Sequence, residues 1–281
     1  MQVLDDYLDG IGHLPPAPRV LPELLALLRQ DNIDGSRVVE LISLDPAVTA
    51  SVLQLCNSAF LGVAQPVDNL HNAVTRLGFR QVARVVASVT GSRIMGHAQE
   101  GYGIDRGELW YHSVASALAA EVVARRMGED EDLVYTATLL HDIGKIILSE
   151  ALERRYADLV RVTEERQEPL LETEQRLLGL QHAEVGSQLL ARWRFPSGMV
   201  SAVCHHHAPW EAAPNERLAA FVYLGNMIAH FMGFGYGRQS FALRGRTEAL
   251  EILEIDGACL PHYMIETFEQ IRLVEALFRP L

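Results

Sequence analysis

With 281 residues, 49% of them hydrophobic, the chain is long enough for one large or two moderate globular domains with real cores. A net charge of −12 opposes general binding to phosphate backbones, so nucleic acid is not an expected partner. Cys56, Cys204 and Cys259 are widely spaced with no CxxC pair, which argues against a disulfide framework or a thiolate zinc site, and no run of about 18 apolar residues offers a membrane span.

The first residues carry Asp5, Asp6 and Asp9 where a secretory signal would be basic, so the chain is expected in the cytoplasm. A short first helix leads to a proline-rich entry and an amphipathic helix through Leu24, Leu25, Leu27 and Leu28, with a stop at Asp34 and Gly35. Ser36 is expected to cap the next helix. Asp45 and Pro46 form an N-cap and N1 pair that launches a helix to Asn57. Further helices are predicted over 72–77 and 80–93. In the second, Val82, Val85, Val86 and Val89 follow the i, i+3, i+4, i+7 spacing of a core face, while Arg80 and Arg84 point the other way.

Between Asn69 and Gln99 there is no acidic residue but there are four arginines, Arg76, Arg80, Arg84 and Arg93. Two readings stand: a solvated helix face, or a docking surface for an acidic protein partner centred on Arg80 and Arg84. Gly78 gives this stretch the rhythm of a helix-turn-helix, yet the following helix is nearly all Val and Ala and has few side chains that could read base edges.

Four glycines within residues 96–107 mark a connection between an N-terminal lobe, 1–100, and a second lobe, 108–281. Helices are expected over 109–127, with Gly128 as its stop, and over 132–148, with Asp132 as its cap. In the latter, the stretch YTATLLHDIGKIIL places His141, Asp142 and Lys145 amid apolar residues of helical spacing. Polar groups on a buried face need partners, and other helices offer His112, His182, His206 and His207. A charged, solvated helix over 150–167 and helices over 170–178, 182–193 and 197–206 follow. Leu218, Phe221, Val222, Gly225 and Ala229 form another apolar face that includes Asn226, and two amphipathic helices after Thr247 should pack on the second lobe. There is no P-loop or GxGxxG phosphate cradle.

The order H, HD, H, HH in WYHS, LHDIGK, QHAEVGSQLLARW and AVCHHHAP resembles the HD superfamily of metal-dependent phosphohydrolases, most closely its HDOD branch. LPPAPRVLPELLAL, LISLDPAVTASVLQLCNSAFLG and NAVTRLGFRQV match characteristic HDOD segments, and the likeness runs to about Phe234. The resemblance implies an all-α, two-lobed helical bundle, an N-terminal HDOD lobe plus an HD-like C-terminal lobe, acting in bacterial signalling or regulation. It implies that His112, His141 and Asp142 hold one metal and that Asp142 bridges to a second held by His182, His206 and His207. One or two divalent transition ions, Fe, Mn, Ni or Zn, suit an imidazole-rich site. A bridging water at Asp142 would be the nucleophile on a phosphoester, with Lys145 neutralising the phosphate; Lys145 also reads as a snorkelling helix residue. The spacing of VCHHH puts the match on His206 and His207 and leaves His205 as a neighbour.

Two departures bear on activity. Asn226 stands where catalytic relatives close the metal set with Asp, and HHAPWEAAP lacks the Glu and the Gly-Tyr-Pro turn of the HD-GYP phosphodiesterases. The expectation is therefore a regulatory module with an HD-type metal site, weakly or not catalytic, that takes a nucleotide or phosphate ligand and a signalling protein partner on its N-terminal lobe. The alternative is a metal-dependent phosphohydrolase acting on a nucleotide or cyclic dinucleotide, and a structural protein with an empty site comes third.

Overall fold

The computed structural model describes residues 18, 20–30, 32–57, 67, 69–153, 170–235 and 247–278. Among them there is no β-strand, and an isolated bridge joins Gln99 to Ile104. The expected first helix and most of the charged stretch at 150–167 lie outside the described residues. No described helix is long and apolar enough to cross a membrane.

Three short helices, α1 (Val20–Leu28), α2 (Gly35–Ser43) and α3 (Pro46–Cys56), pack against α4 (Leu70–Met95). Asp34, not Ser36, caps α2: its Oδ1 accepts from the Ser36 N–H at 2.9 Å because Asp34 itself is extended. Asp45 caps α3 as expected, accepting from the N–H groups of Ala47 and Val48 at 2.9 and 3.2 Å. The same carboxylate receives both guanidinium nitrogens of Arg93 at 2.6 and 3.0 Å, which ties α3 to α4 and holds the Asp45 carboxyl below its usual range. At Gly78, φ 75° and ψ 161° break α4 into the two segments the sequence predicts. Only glycine takes this conformation without strain.

The second half is built on α5 (Glu108–Met127), buried along most of its length. It is followed by α6 (Glu131–Leu139), α7 (Gly144–Glu153), α8 (Leu170–Leu178), α9 (His182–Arg192), α10 (Ser197–Cys204) and α11 (Glu216–Phe231). Asp130, two residues before the expected Asp132, caps α6 through the Leu133 N–H. Helix α11 lies so close to α5 that a Cβ on Gly225 would fall 2.5 Å from the Ser116 carbonyl. The last helices, α12 (Glu248–Leu253) and α13 (Leu260–Phe278), pack on α11 and α5 as the sequence predicts.

The glycine-rich connection is not an open linker. Tyr102 and Ile104 are buried in a hydrophobic cluster that, among the described residues, draws members from both halves, Val20 and Val222 included.

The packing treats the two arginines differently: Arg80 keeps 55% of its side chain exposed, while Arg84 keeps 19%. Arg84 bonds Glu121 of α5 and lies 3.7 Å from Glu131 and 3.8 Å from Asp132 of α6. Arg80 reaches Glu131 at 3.0 Å and Asp132 at 3.4 Å. Arg125 completes the network, at 2.7 Å from Glu121 and 3.1 Å from Glu131. Burial pushes the Glu121 carboxyl up, against the pull of Arg84 and Arg125. These arginines join the two halves of the chain to each other.

Candidate metal centre

The HD pair does not sit in mid-helix. Helix α6 ends at Leu139, residues 140–143 form turns, and α7 begins at Gly144. On this turn His141 and Asp142 are both buried, at 0% and 1% exposure. Helix α7 starts directly against α9. A Cβ on Gly144 would stand 1.9 Å from the His182 carbonyl oxygen and 2.6 Å from the Gly186 nitrogen. Gly144→Ala is therefore expected to push α9, which carries His182, off the turn, costing about 1 to 3 kcal/mol or more and reducing bound metal in parallel. Urea unfolding and elemental analysis check both effects; native metal content would show that this crossing does not set the ligand positions.

Asp142 lies at the middle of the group. Its Oδ2 is 3.4 Å from His141 Nε2, 3.7 Å from His112 Nε2 and 2.8 Å from Lys145 Nζ. Its Oδ1 is 3.2 Å from His182 Nε2 and 3.8 Å from His206 Nε2, and His207 Nε2 stands 3.0 Å from His182 Nε2. Ligand atoms of Asp142, His182, His206 and His207 all lie within 4.8 Å of one another, as do those of His112, His141 and Asp142. His205 turns its Nδ1 to the Ser201 carbonyl at 2.9 Å instead. Lys145 is 5% exposed, so the snorkelling reading is replaced by a buried ammonium paired with Asp142.

The far side of each ring explains its orientation. Nδ1 of His112 meets the Phe234 carbonyl at 3.0 Å, that of His141 the Thr138 carbonyl at 2.7 Å, and that of His206 the Val203 carbonyl at 2.7 Å. A carbonyl only accepts, so each of these Nδ1 atoms carries a proton, and in the neutral rings of His112 and His206 the Nε2 turns a lone pair inward. His182 Nδ1 instead faces the buried carboxylate of Glu174 at 2.8 and 2.9 Å.

Burial first, then the neighbouring histidines, holds His112, His206 and His207 well below the usual histidine range, so they stay neutral. Burial would raise Asp142, but His141 and Lys145 outweigh it and keep the carboxylate ionised. His182 is raised, because the Glu174 charge outweighs the opposing effect of burial.

These residues fit a metal. Inward lone pairs crowd an acceptor-only carboxylate in a dry setting, with His112, His141, Asp142, His182 and His206 at most 1% exposed. Nε2 of His141 and of His206 makes no hydrogen bond among the described residues. Two ligands of one ion, each about 2.1 Å from it, stand roughly 3.0 to 3.4 Å apart. The spacings around Asp142 are in or just beyond that range.

Asn226 is buried on α11 with its Oδ1 making no hydrogen bond among the described residues. It lies one turn before His230, whose ring is 4.6 Å from that of His112. Burial, followed by the charge of Lys145, lowers His230 to about 4. The sequence reading passed over His230 and Glu174, although both carry a signal. His230 follows Asn226 at i+4, and Glu174 falls on the apolar stripe of Leu170, Leu177 and Leu178.

A family model described as the HDOD domain matches residues 14–209. An HDOD domain protein of unknown function from Geobacter sulfurreducens is 21% identical and superposes with a TM-score of 0.79, covering 100% of this chain and 98% of its own. A protein of Shewanella amazonensis provisionally described as a phosphohydrolase is 23% identical, with a TM-score of 0.74 and coverage of 99% and 98%. One of Marinobacter aquaeolei provisionally described as a signal transduction protein is 22% identical, with a TM-score of 0.76 and coverage of 99% and 65%. At these identities the likeness speaks for the fold. An uncharacterized protein of Treponema pallidum is 28% identical over 228 residues, 80% of this chain and 44% of its own length. The chain thus spans less than half the length of the curated relatives it matches.

Proposed function

We propose, from the premise that this chain belongs to the HDOD domain family, that it is a regulatory module whose buried His and Asp centre holds one or two divalent transition ions. The carrying observation is the convergence of imidazole Nε2 atoms on the Asp142 carboxylate with their Nδ1 atoms already engaged. His112, His141 and Asp142 would hold one ion, and Asp142, His182, His206 and His207 the other; iron, manganese, nickel or zinc suits such ligands. Bound ions would supply Lewis acidity and a more acidic bound water. The residues themselves do the rest: carbonyls fix the ring tautomers, the apolar surround excludes water, and Lys145 offers an ammonium to an anionic ligand such as a nucleotide or phosphate.

A regulator is favoured over an enzyme because Asn226 brings no charge where catalytic relatives carry Asp. A partner contact remains a proposal for the N-terminal half, with Arg80 as its exposed cation and Arg84 engaged by Glu121. The phosphohydrolase reading keeps one supporting observation, the Lys145 ammonium 2.8 Å from Asp142.

Protein purified without chelator or histidine tag is expected to retain a transition metal; less than about a tenth of an equivalent would overturn the site, since such ligand sets bind tightly. Asn226→Asp is expected to tighten metal binding about tenfold in Kd, equivalent to ~1.4 kcal/mol, while the native protein hardly hydrolyses bis-p-nitrophenyl phosphate. If Asn226 is only a core amide, the same change buries an unpaired charge and costs about 1 to 3 kcal/mol with no gain in metal. Native hydrolysis as fast as that of the variant would favour the enzyme.

A further inference from the structure

We infer that Glu174 is a positioning residue that makes His182 a ligand and ties the metal centre to the connection between the two halves of the chain. The inference rests on the metal site proposed above and adds to it a residue and a route.

Glu174 is fully buried on α8 and brings no ligand atom to the ions. It accepts from the backbone N–H of His182 at 2.8 Å and lies within 2.9 Å of the His182 Nδ1 with both oxygens. A carboxylate on the far nitrogen fixes the ring, directs Nε2 inward and makes it a stronger donor to a metal. His112, His141 and His206 lean on neutral carbonyls, whereas His182 has a carboxylate support.

The third contact of Glu174 comes from elsewhere in the chain. The Tyr102 hydroxyl donates to its Oε1 at 2.8 Å, across a separation of 72 residues, and Tyr102 belongs to the short 3-10 turn Glu100–Tyr102 in the glycine-rich connection. That turn is held from a second side. The Gly101 N–H donates to Ser149 Oγ at 3.0 Å, and a Cβ on Gly101 would stand 2.0 Å from the Ser149 carbonyl. Ser149 lies one turn along α7 from Lys145, the partner of Asp142. The connection therefore touches two helices beside the centre: α8 through Glu174 and α7 through Ser149. Moving it would loosen His182, and loading the centre would fix it; by linkage the two effects must be equal in free energy.

The test uses the full chain, Mn²⁺ or Co²⁺ as the probe, and three proteins: native, Glu174→Gln and Tyr102→Phe. Glu174→Gln is expected to weaken one ion by about tenfold to a hundredfold, with an altered Co²⁺ absorption spectrum, as expected for loss of an outer-shell carboxylate. Tyr102→Phe, which removes one hydroxyl far from the ions, is expected to weaken the same ion by a smaller factor. In the native protein, metal should slow amide hydrogen exchange in residues 96–107, and this protection should be absent in both variants. Unchanged affinity, spectrum and exchange in the variants, beside a native protein that binds metal, would overturn the inference and leave the site standing. A native protein that binds no metal overturns the site and the inference together. If Glu174→Gln fails to fold, Tyr102→Phe decides alone.

Discussion

Asp142→Asn is expected to leave less than about a tenth of the native metal in the protein and to abolish the rise in melting temperature that added Mn²⁺ gives the native chain. Asp142 is the residue common to both ligand groups, so its charge serves two ions. An asparagine there keeps the shape but can turn its NH₂ toward an inward Nε2, replacing a cation by a hydrogen bond. The substitution has a second effect. Lys145 is 5% exposed and its ammonium pairs with Asp142 Oδ2. Removing the carboxylate leaves a buried charge without that partner, which typically costs about 3 to 5 kcal/mol.

The two roles separate in the double variant Asp142→Asn/Lys145→Met. It should recover most of the stability, because an apolar side chain of similar length replaces the stranded charge, but none of the metal. Elemental analysis and calorimetry with and without Mn²⁺ read the outcome. Native metal content in Asp142→Asn would show that the histidines bind without the bridge, and the two-ion arrangement would fall.

Arg84→Glu is expected to be the most damaging single change in the junction between the two halves. Glu121 is 2% exposed and is compensated by Arg84 and Arg125. Charge reversal sets a carboxylate among Glu121, Glu131 and Asp132, and breaking a buried pair costs about 3 to 5 kcal/mol even without reversal. Arg80→Glu is the control. With 55% of its side chain exposed, Arg80 forms ion pairs worth at most about 1 kcal/mol. The apolar pair Arg84→Met/Glu121→Leu should restore most of the loss, because a buried ion pair is often no more stable than its apolar replacement. Urea unfolding compares them; an Arg84→Glu loss under about 0.5 kcal/mol would return Arg84 to a solvated surface.

Local chemistry was legible in the sequence. Asp45 and Pro46 start α3 where a cap and a pre-set φ predict it, Gly128 ends α5, and the Val82, Val85, Val86 and Val89 stripe turns toward the core. The all-α class and the order of the candidate ligands His112, His141, Asp142, His182, His206 and His207 were also readable, because each depends on residue type and spacing. What the tertiary structure decided lies in pairs far apart in the chain. Arg84 finds Glu121 across 37 residues, and Tyr102 finds Glu174 across 72, separations at which no periodicity links the partners. The helix expected through the HD pair also departs from its apolar rhythm: residues 140–143 form turns, and α9 crosses at Gly144 too closely for any side chain, a contact with a distant segment that no spacing announces. Sequence spacing reports what one helix can bury; which helix comes to meet it is settled by packing, where fractions of an ångström decide.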